Sequence, residues 1–266
     1  MGFDWKFFDR SSWAIINQDQ LMLDWVANAK KIATQKFNSN DFDEKQFRCG
    51  GTWFVGQNFL KNNLSGKLNN IAFDGLAVNS ILERYGKYYK GWDEAQVSIC
   101  FEGYPRLSDS ETSKSFAYRK NNFGAHVDGI LPVGESKRRY AQEWHTFIFG
   151  IPLVNFNEFA APVVVWEGSH RIIGTFLARN FLDIPSASWK NQDITEIYHQ
   201  ARREAFLKCK PKVIVVPVGG SYILHRLALH GIKPWGKAGR SEESARMIAY
   251  FRPLLIKPEF WLDKSI

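Results

Sequence analysis

The 266-residue sequence predicts a mainly β fold of the α+β class. Two observations carry that expectation. Helical patterning dominates the first part of the chain, and from Gln96 onward short apolar runs of strand length recur between breakers, an order that favours an α+β or mainly β domain. A doubly wound parallel sheet would instead need strands and helices in regular alternation, which the sequence lacks. No internal repeat, low-complexity segment or linker divides the chain. Residues 1–266 are therefore expected to form one domain, with 1–95 as a helical flank with outer strands and 96–253 as the core.

The elements follow in order. After an aromatic start (Phe3, Trp5, Phe7, Phe8, Trp13), Gln18 to Phe37 reads as a helix. Its apolar face carries Leu21, Trp25, Val26, Ala29 and Ile32, and its lysines gather toward the C-terminal end, where they suit the helix dipole. Gly50 to Gly56 holds a short strand between breakers, and Ile71 to Tyr89 holds a helix ended by Gly86. Gln96 to Phe101 alternates as a strand. Residues 106–122 are polar and read as a long excursion suited to covering a site. A charged turn at 135–139 leads into a strand from His145 to Leu153, and Val163 to Trp166 is a further strand. Residues 170–210 are helical, notably Ile194 to Lys208. Lys212 to Val218, Ser221 to Leu229 and Ala245 to Phe251 read as three closing strands.

Composition excludes several classes. Three cysteines, Cys49, Cys100 and Cys209, are widely spaced and fit neither a disulfide scaffold nor a zinc ribbon. No apolar stretch reaches the roughly 18 residues of a membrane span, and no leader or lipidation signal is read at the N-terminus. A cytoplasmic protein is expected. The net charge of +8 attracts anions in general; no groove-reading motif accompanies it, so nucleic acid ranks last among partners.

The chemistry-bearing stretch is Gly124-Ala125-His126-Val127-Asp128-Gly129. In an extended segment, residues two apart share a face, so an imidazole and a carboxylate converge. One more imidazole would complete the two-histidine, one-carboxylate set that suits non-haem Fe(II) and leaves coordination positions open. His225 and His230 lie an odd number apart in one expected strand, so only one points inward. His230, followed by Gly231, is the expected ligand, and His225 is left for a supporting or surface place. Downstream, a guanidinium inside an apolar strand needs a partner, and a ligand carboxylate is one solution. Arg246 and Arg252 share parity; Arg252 stands at the strand's exit, so Arg246 is the expected anchor.

With these residues in place, the chain resembles the phytanoyl-CoA dioxygenase-like family of Fe(II)- and 2-oxoglutarate-dependent oxygenases. His126-Val127-Asp128 matches its His-x-Asp, Gly168-Ser169-His170 its Gly-Ser-His turn, His230-Gly231 its distal His-Gly, and Arg246 its downstream arginine. The resemblance runs from about Gln96 to Pro253; Glu167 stands where the family commonly has proline, and the span from His230 to Arg246 is long. It implies a double-stranded β-helix, a cupin-like jelly roll with flanking helices. It also implies iron held by His126, Asp128 and His230, and 2-oxoglutarate anchored by Arg246; Thr146, which shares strand parity with Ile148 and Gly150, is read either as a hydroxyl donor to 2-oxoglutarate or as a packing residue. The implied reaction consumes O2 and hydroxylates a small or lipid-like metabolite, releasing succinate and CO2. Retention of Asp128, where related halogenases carry a small residue, favours hydroxylation. Lys137, Arg138 and Arg139 are read either as a recognition site for an anionic substrate or as a solvated turn. The alternative function is a jelly-roll binding protein, non-enzymatic or differently metallated.

Overall fold

Every pairing between named strands is antiparallel. The computed structural model describes residues 2–109 and 111–266; Ser110, in the polar stretch, lies outside the described residues.

The chain opens with α1 (Trp5–Ser11), capped by the Asp4 carboxylate, which accepts the Phe7 N–H at 2.9 Å. Strand β1 (Trp13–Ile16) and helix α2 (Leu23–Asn38) follow, the helix burying Trp25, Val26, Ala29 and Ala33. Two short strands, β2 (Phe47–Arg48) and β3 (Trp53–Phe54), precede α3 (Leu76–Tyr85). Strand β4 (Gln96–Phe101) is followed by α4 (Ser113–Asn121), then the hairpin β5 (Ile130–Val133) and β6 (Arg138–Ala141). After β7 (Phe147–Pro152) and β8 (Val163–Trp166) come α5 (Ser169–Phe181) and α6 (Thr195–Lys208). The described chain closes through β9 (Pro211–Ile214), β10 (Ser221–His225), β11 (His230–Ile232) and β12 (Ala245–Phe251).

These strands build a seven-stranded sheet, β1-β10-β7-β12-β4-β3-β2, and a three-stranded sheet, β11-β8-β9. The first 95 residues thus extend the larger sheet at both edges. Its central strands are buried on both faces, and residue parity separates the two environments. Odd positions such as Val97, Ile99, Phe147, Phe149, Ala249 and Phe251 join Phe8 and Trp25 of the helical flank in one aromatic-rich core. Even positions such as Ile148, Tyr222, Leu224 and Ile248 pack instead against Val163, Val165 and Ile214 of the smaller sheet. Truncating a fully buried ring here, as in Trp25→Ala, should cost roughly 3–5 kcal/mol.

Three expectations need correction. The polar excursion contains a helix, α4, started by the Thr112 hydroxyl accepting the Ser115 N–H. It has no fully buried residue, so apolar periodicity had nothing to report. The charged turn expected over 135–139 is in part strand: Arg138 and Arg139 open β6, and residues 134–137 form the tip of the β5–β6 hairpin. Ser221 to Leu229 is not one strand, because Arg226 turns inward and donates to the carbonyls of Phe260, Trp261, Asp263 and Ile266. The chain turns there, with Ala228 N–H donating to His225 O, and re-enters the other sheet as β11. His225 and His230 are therefore separated by a change of sheet, not by strand parity.

Candidate metal centre

His126 and His230 lie side by side because their backbones pair. The N–H of His126 donates to His230 O at 2.8 Å, and the N–H of His230 donates back to His126 O at 3.0 Å. This couples the His-x-Asp segment to β11. Gly231 permits the close approach: a Cβ there would sit 2.3 Å from the Phe123 carbonyl oxygen. Gly129, at φ +81°, is equally constrained, since a Cβ would fall 1.9 Å from Glu143 O. From beneath, the Tyr198 hydroxyl of α6 accepts the Val127 N–H at 2.9 Å, and Ser169 at the start of α5 accepts the Leu229 N–H at 2.8 Å. The Gly-Ser-His turn thus steadies the residue before His230, while His170 itself lies elsewhere, against His225.

The structure brings together His126, Asp128 and His230, whose candidate ligand atoms all lie within 4.8 Å of one another. Asp128 Oδ1 is 3.1 Å from His126 Nε2 and 3.6 Å from His230 Nε2. Adjacent ligands at ~2.1 Å from one metal ion are ~3 Å apart, so the first distance fits coordination and the second needs a small closure. Each imidazole places its Nδ1 3.0 Å from a backbone carbonyl, Gly124 O for His126 and Ala228 O for His230. A carbonyl can only accept, so Nδ1 carries the proton and Nε2 presents a lone pair. Burial lowers His230 to about 4, against the opposing pull of Asp128, so it is neutral at pH 7. Burial alone would raise the Asp128 carboxyl, but the Arg252 guanidinium leads the groups that hold it well below the usual carboxylate range. Two imidazole lone pairs and a carboxylate thus face one point. A proton can satisfy only one such pair; a metal ion satisfies all three.

Asp128 Oδ2 is held separately, 3.3 Å from Arg252 Nη1, while Arg252 Nη2 donates to Gln96 Oε1 at 2.6 Å. Arg252 is therefore paired at the strand's exit, with a quarter of its side chain still exposed. His145 steadies it further, Nδ1 meeting Arg252 O at 2.7 Å and Nε2 meeting Glu143 at 3.0 Å. Sequence reasoning left out Gln96, His145 and Tyr198; the only available signal was the shared parity of Arg252 with Arg246.

The three residues share a cavity of about 130 Å³ with Gln96, Ile148, Leu224, Tyr250, Ser98 and Trp53. Arg246 stands behind Ser98, fully buried. Its Nη2 reaches Ser98 Oγ and Cys100 Sγ, each at 3.0 Å, while Nε and Nη1 have no partner. Ser98 Oγ also accepts Trp53 Nε1 at 2.9 Å, so both of its lone pairs are used and its own proton is left to donate. Tyr222 donates to the Tyr250 hydroxyl at 2.6 Å, leaving the Tyr250 proton equally available. Unspent donors thus collect around a buried cation with no carboxylate beside it among the described residues, which suits a ligand carboxylate. Thr146 stands one residue before β7; like Arg246 it is not among the residues lining the cavity, and its buried hydroxyl has no partner.

No family model matches the chain, and no curated protein matches it. Among solved structures it is similar to the non-heme alpha ketoglutarate dependent carbocyclase SnoK from nogalamycin biosynthesis, at 12% identity over 93% of this chain and 82% of that one, TM-score 0.48. It is similar to apo EctD from S. alaskensis at 12% identity over 93% and 75%, TM-score 0.49. HygX from Streptomyces hygroscopicus, with nickel and 2-oxoglutarate bound, gives 11% identity over 93% and 85%, TM-score 0.45.

No described helix is long and apolar enough to cross a membrane.

Proposed function

We propose that residues 1–266 form one Fe(II)- and 2-oxoglutarate-dependent oxygenase domain, its two facing sheets a double-stranded β-helix, that hydroxylates a small, anionic or lipid-like metabolite. The observation that carries this reading is the convergence of two Nε2 lone pairs and Asp128 Oδ1 at the mouth of a cavity with a partly unpartnered arginine behind its wall. His126, Asp128 and His230 would hold the iron on one side and leave its other positions to cosubstrate and O2. Bound Fe(II) and 2-oxoglutarate supply the redox chemistry, oxidative decarboxylation to succinate and CO2 coupled to hydroxylation of a substrate C–H bond.

The chain's own residues set the geometry. Arg252 restrains Oδ2 of Asp128, so the carboxylate offers one oxygen rather than two. Arg246, with the Ser98 and Tyr250 hydroxyls, would hold the distal carboxylate of 2-oxoglutarate. The apolar wall of Ile148 and Leu224 lowers the local dielectric and strengthens those contacts.

Anaerobic addition of Fe(II) and then 2-oxoglutarate tests the assignment. A visible metal-to-ligand charge-transfer band, followed by succinate on admission of air, is the expected result. A folded protein giving neither band nor succinate would return the chain to the alternative of a binding protein.

A further inference from the structure

A second cavity, of about 300 Å³ and at the lower end of small-molecule sites, also reaches His126. Its floor is the β5–β6 hairpin, with Ile130, Leu131 and Pro132; α4 covers it with Tyr118 and Arg119, and α6 closes it with Tyr198 and Arg202. His126 is the one residue it shares with the inner cavity.

Three guanidiniums line this space, and no carboxylate lines it among the described residues. Arg119 is paired with Glu111. Arg139 and Arg202 have no ion-pair partner among the described residues, and the Nε of Arg202 is buried without an acceptor. Arg202 is held between two rings, 4.8 Å from the centroid of Tyr118 and 5.3 Å from that of Tyr198. Arg139 is fixed through its backbone, donating to Thr195 Oγ1 at 2.8 Å and accepting from Ile194 N–H at 2.9 Å. Its neighbour Arg138 is neutralised elsewhere by Asp193 and Glu196. The basic cluster of the hairpin therefore divides, one arginine spent on an ion pair and one directed to the cavity. A half-buried, preorganised pair of unneutralised guanidiniums suits an oxyanion, and the apolar floor suits the hydrocarbon attached to it.

We infer that this cavity is the substrate site, taking an amphiphilic small molecule whose carboxylate or phosphate sits on Arg139 and Arg202 while its carbon chain lies along Ile130 to Pro132 toward His126. This rests on the oxygenase reading for the identity of the bound molecule as substrate. The binding chemistry does not depend on it.

The test uses hexanoate and hexyl phosphate as the two oxyanion sources, with hexan-1-ol as the neutral control. Each is titrated calorimetrically into protein saturated with Fe(II) and 2-oxoglutarate without oxygen, and again into metal-free protein saturated with 2-oxoglutarate. At least one anion is expected to bind about tenfold or more tightly than the alcohol in both preparations. The stronger of the two names the source. Arg139→Gln and Arg202→Gln should each reduce that preference severalfold, Arg202→Lys should retain most of it, and Arg138→Gln should leave it as in the parent. Equal binding of all three compounds, or an undiminished preference in both glutamine variants with native circular dichroism, overturns the assignment. Absence of the charge-transfer band would remove the oxygenase reading alone, because the anion preference is measured without it.

Discussion

Two histidine pairs in this protein have nearly the same ring geometry and opposite chemistry. His126 and His230 have centroids 4.7 Å apart at 45°, and His170 and His225 have centroids 4.6 Å apart at 46°. In the first pair each Nδ1 meets a carbonyl, so both Nε2 lone pairs are free. In the second, His225 Nδ1 accepts the Leu227 N–H and His170 Nε2 meets Asp9 O, which places the proton of each ring on Nε2. Arg84, Arg171 and Arg226 line the cavity there, and the Asp9 carboxylate is already paired with Arg84. Proximity of imidazoles is thus common to both; the tautomer and the carboxylate distinguish them.

The sharpest way to break this contrast is at the carboxylate. Asp128→Asn should lower succinate formation by about 10³-fold or more and leave dialysed protein with little iron. His170→Asn and His225→Asn should keep one iron per chain, as metal analysis would read. If either of these lost the iron while Asp128→Asn kept it, the two pairs would have been assigned the wrong way round.

The second pair carries its own signature, in stability. Burial lowers His170 to about 4 from the ordinary 6.5, against the pull of the Asp9 carbonyl. The unfolded chain takes up a proton as pH falls through 6.5, whereas the folded chain resists until about 4. Stability contributed by the neutral imidazole is therefore full above pH 6.5 and lost as pH falls toward 4, by about 3 kcal/mol in all. Urea unfolding at pH 7 and 4.5 should show a smaller pH dependence in His170→Asn than in the parent. Equal dependence would place the burial cost on another group.

The two arginines of one strand face form a parallel contrast. Arg246 is enclosed with Nε and Nη1 unpartnered, so Arg246→Met should raise the KM for 2-oxoglutarate by about 100-fold, with a smaller change in kcat. Arg246→Lys should recover part of this. A KM within twofold of the parent would place the cosubstrate carboxylate elsewhere.

How far the sequence could be read depended on where each element's partners lay. Gln96–Phe101 and Val163–Trp166 have the expected bounds because apolar runs between breakers state strand and limits together. His126 and Asp128 come together as their spacing suggested, although only His126 pairs as strand and Asp128 lies in the turn after it. By contrast, α4 has no apolar face to betray it. The break between β10 and β11 is set by Arg226, whose acceptors lie 34 to 40 residues further on. The role of Arg252 was hidden for the same reason: parity placed it on the inward face, but only the fold shows that Asp128 meets it across 124 residues.

That contact leads to the smallest effect, and the one that best separates the two arginines. Arg252 donates to Asp128 and Gln96, and its backbone N–H is held by Asp93, so it has little left to offer a cosubstrate. It acts on the metal centre by fixing which oxygen of Asp128 faces inward, a task that His126 and His230 partly share. Arg252→Gln should therefore reduce kcat about tenfold, in the range seen when a partner of a metal ligand is removed, while the KM for 2-oxoglutarate stays within about threefold of the parent. The opposite split, a KM raised as steeply as in Arg246→Met with kcat preserved, would make Arg252 the carboxylate anchor and leave Arg246 a buried cation whose role is only to join β12 to Ser98 and Cys100.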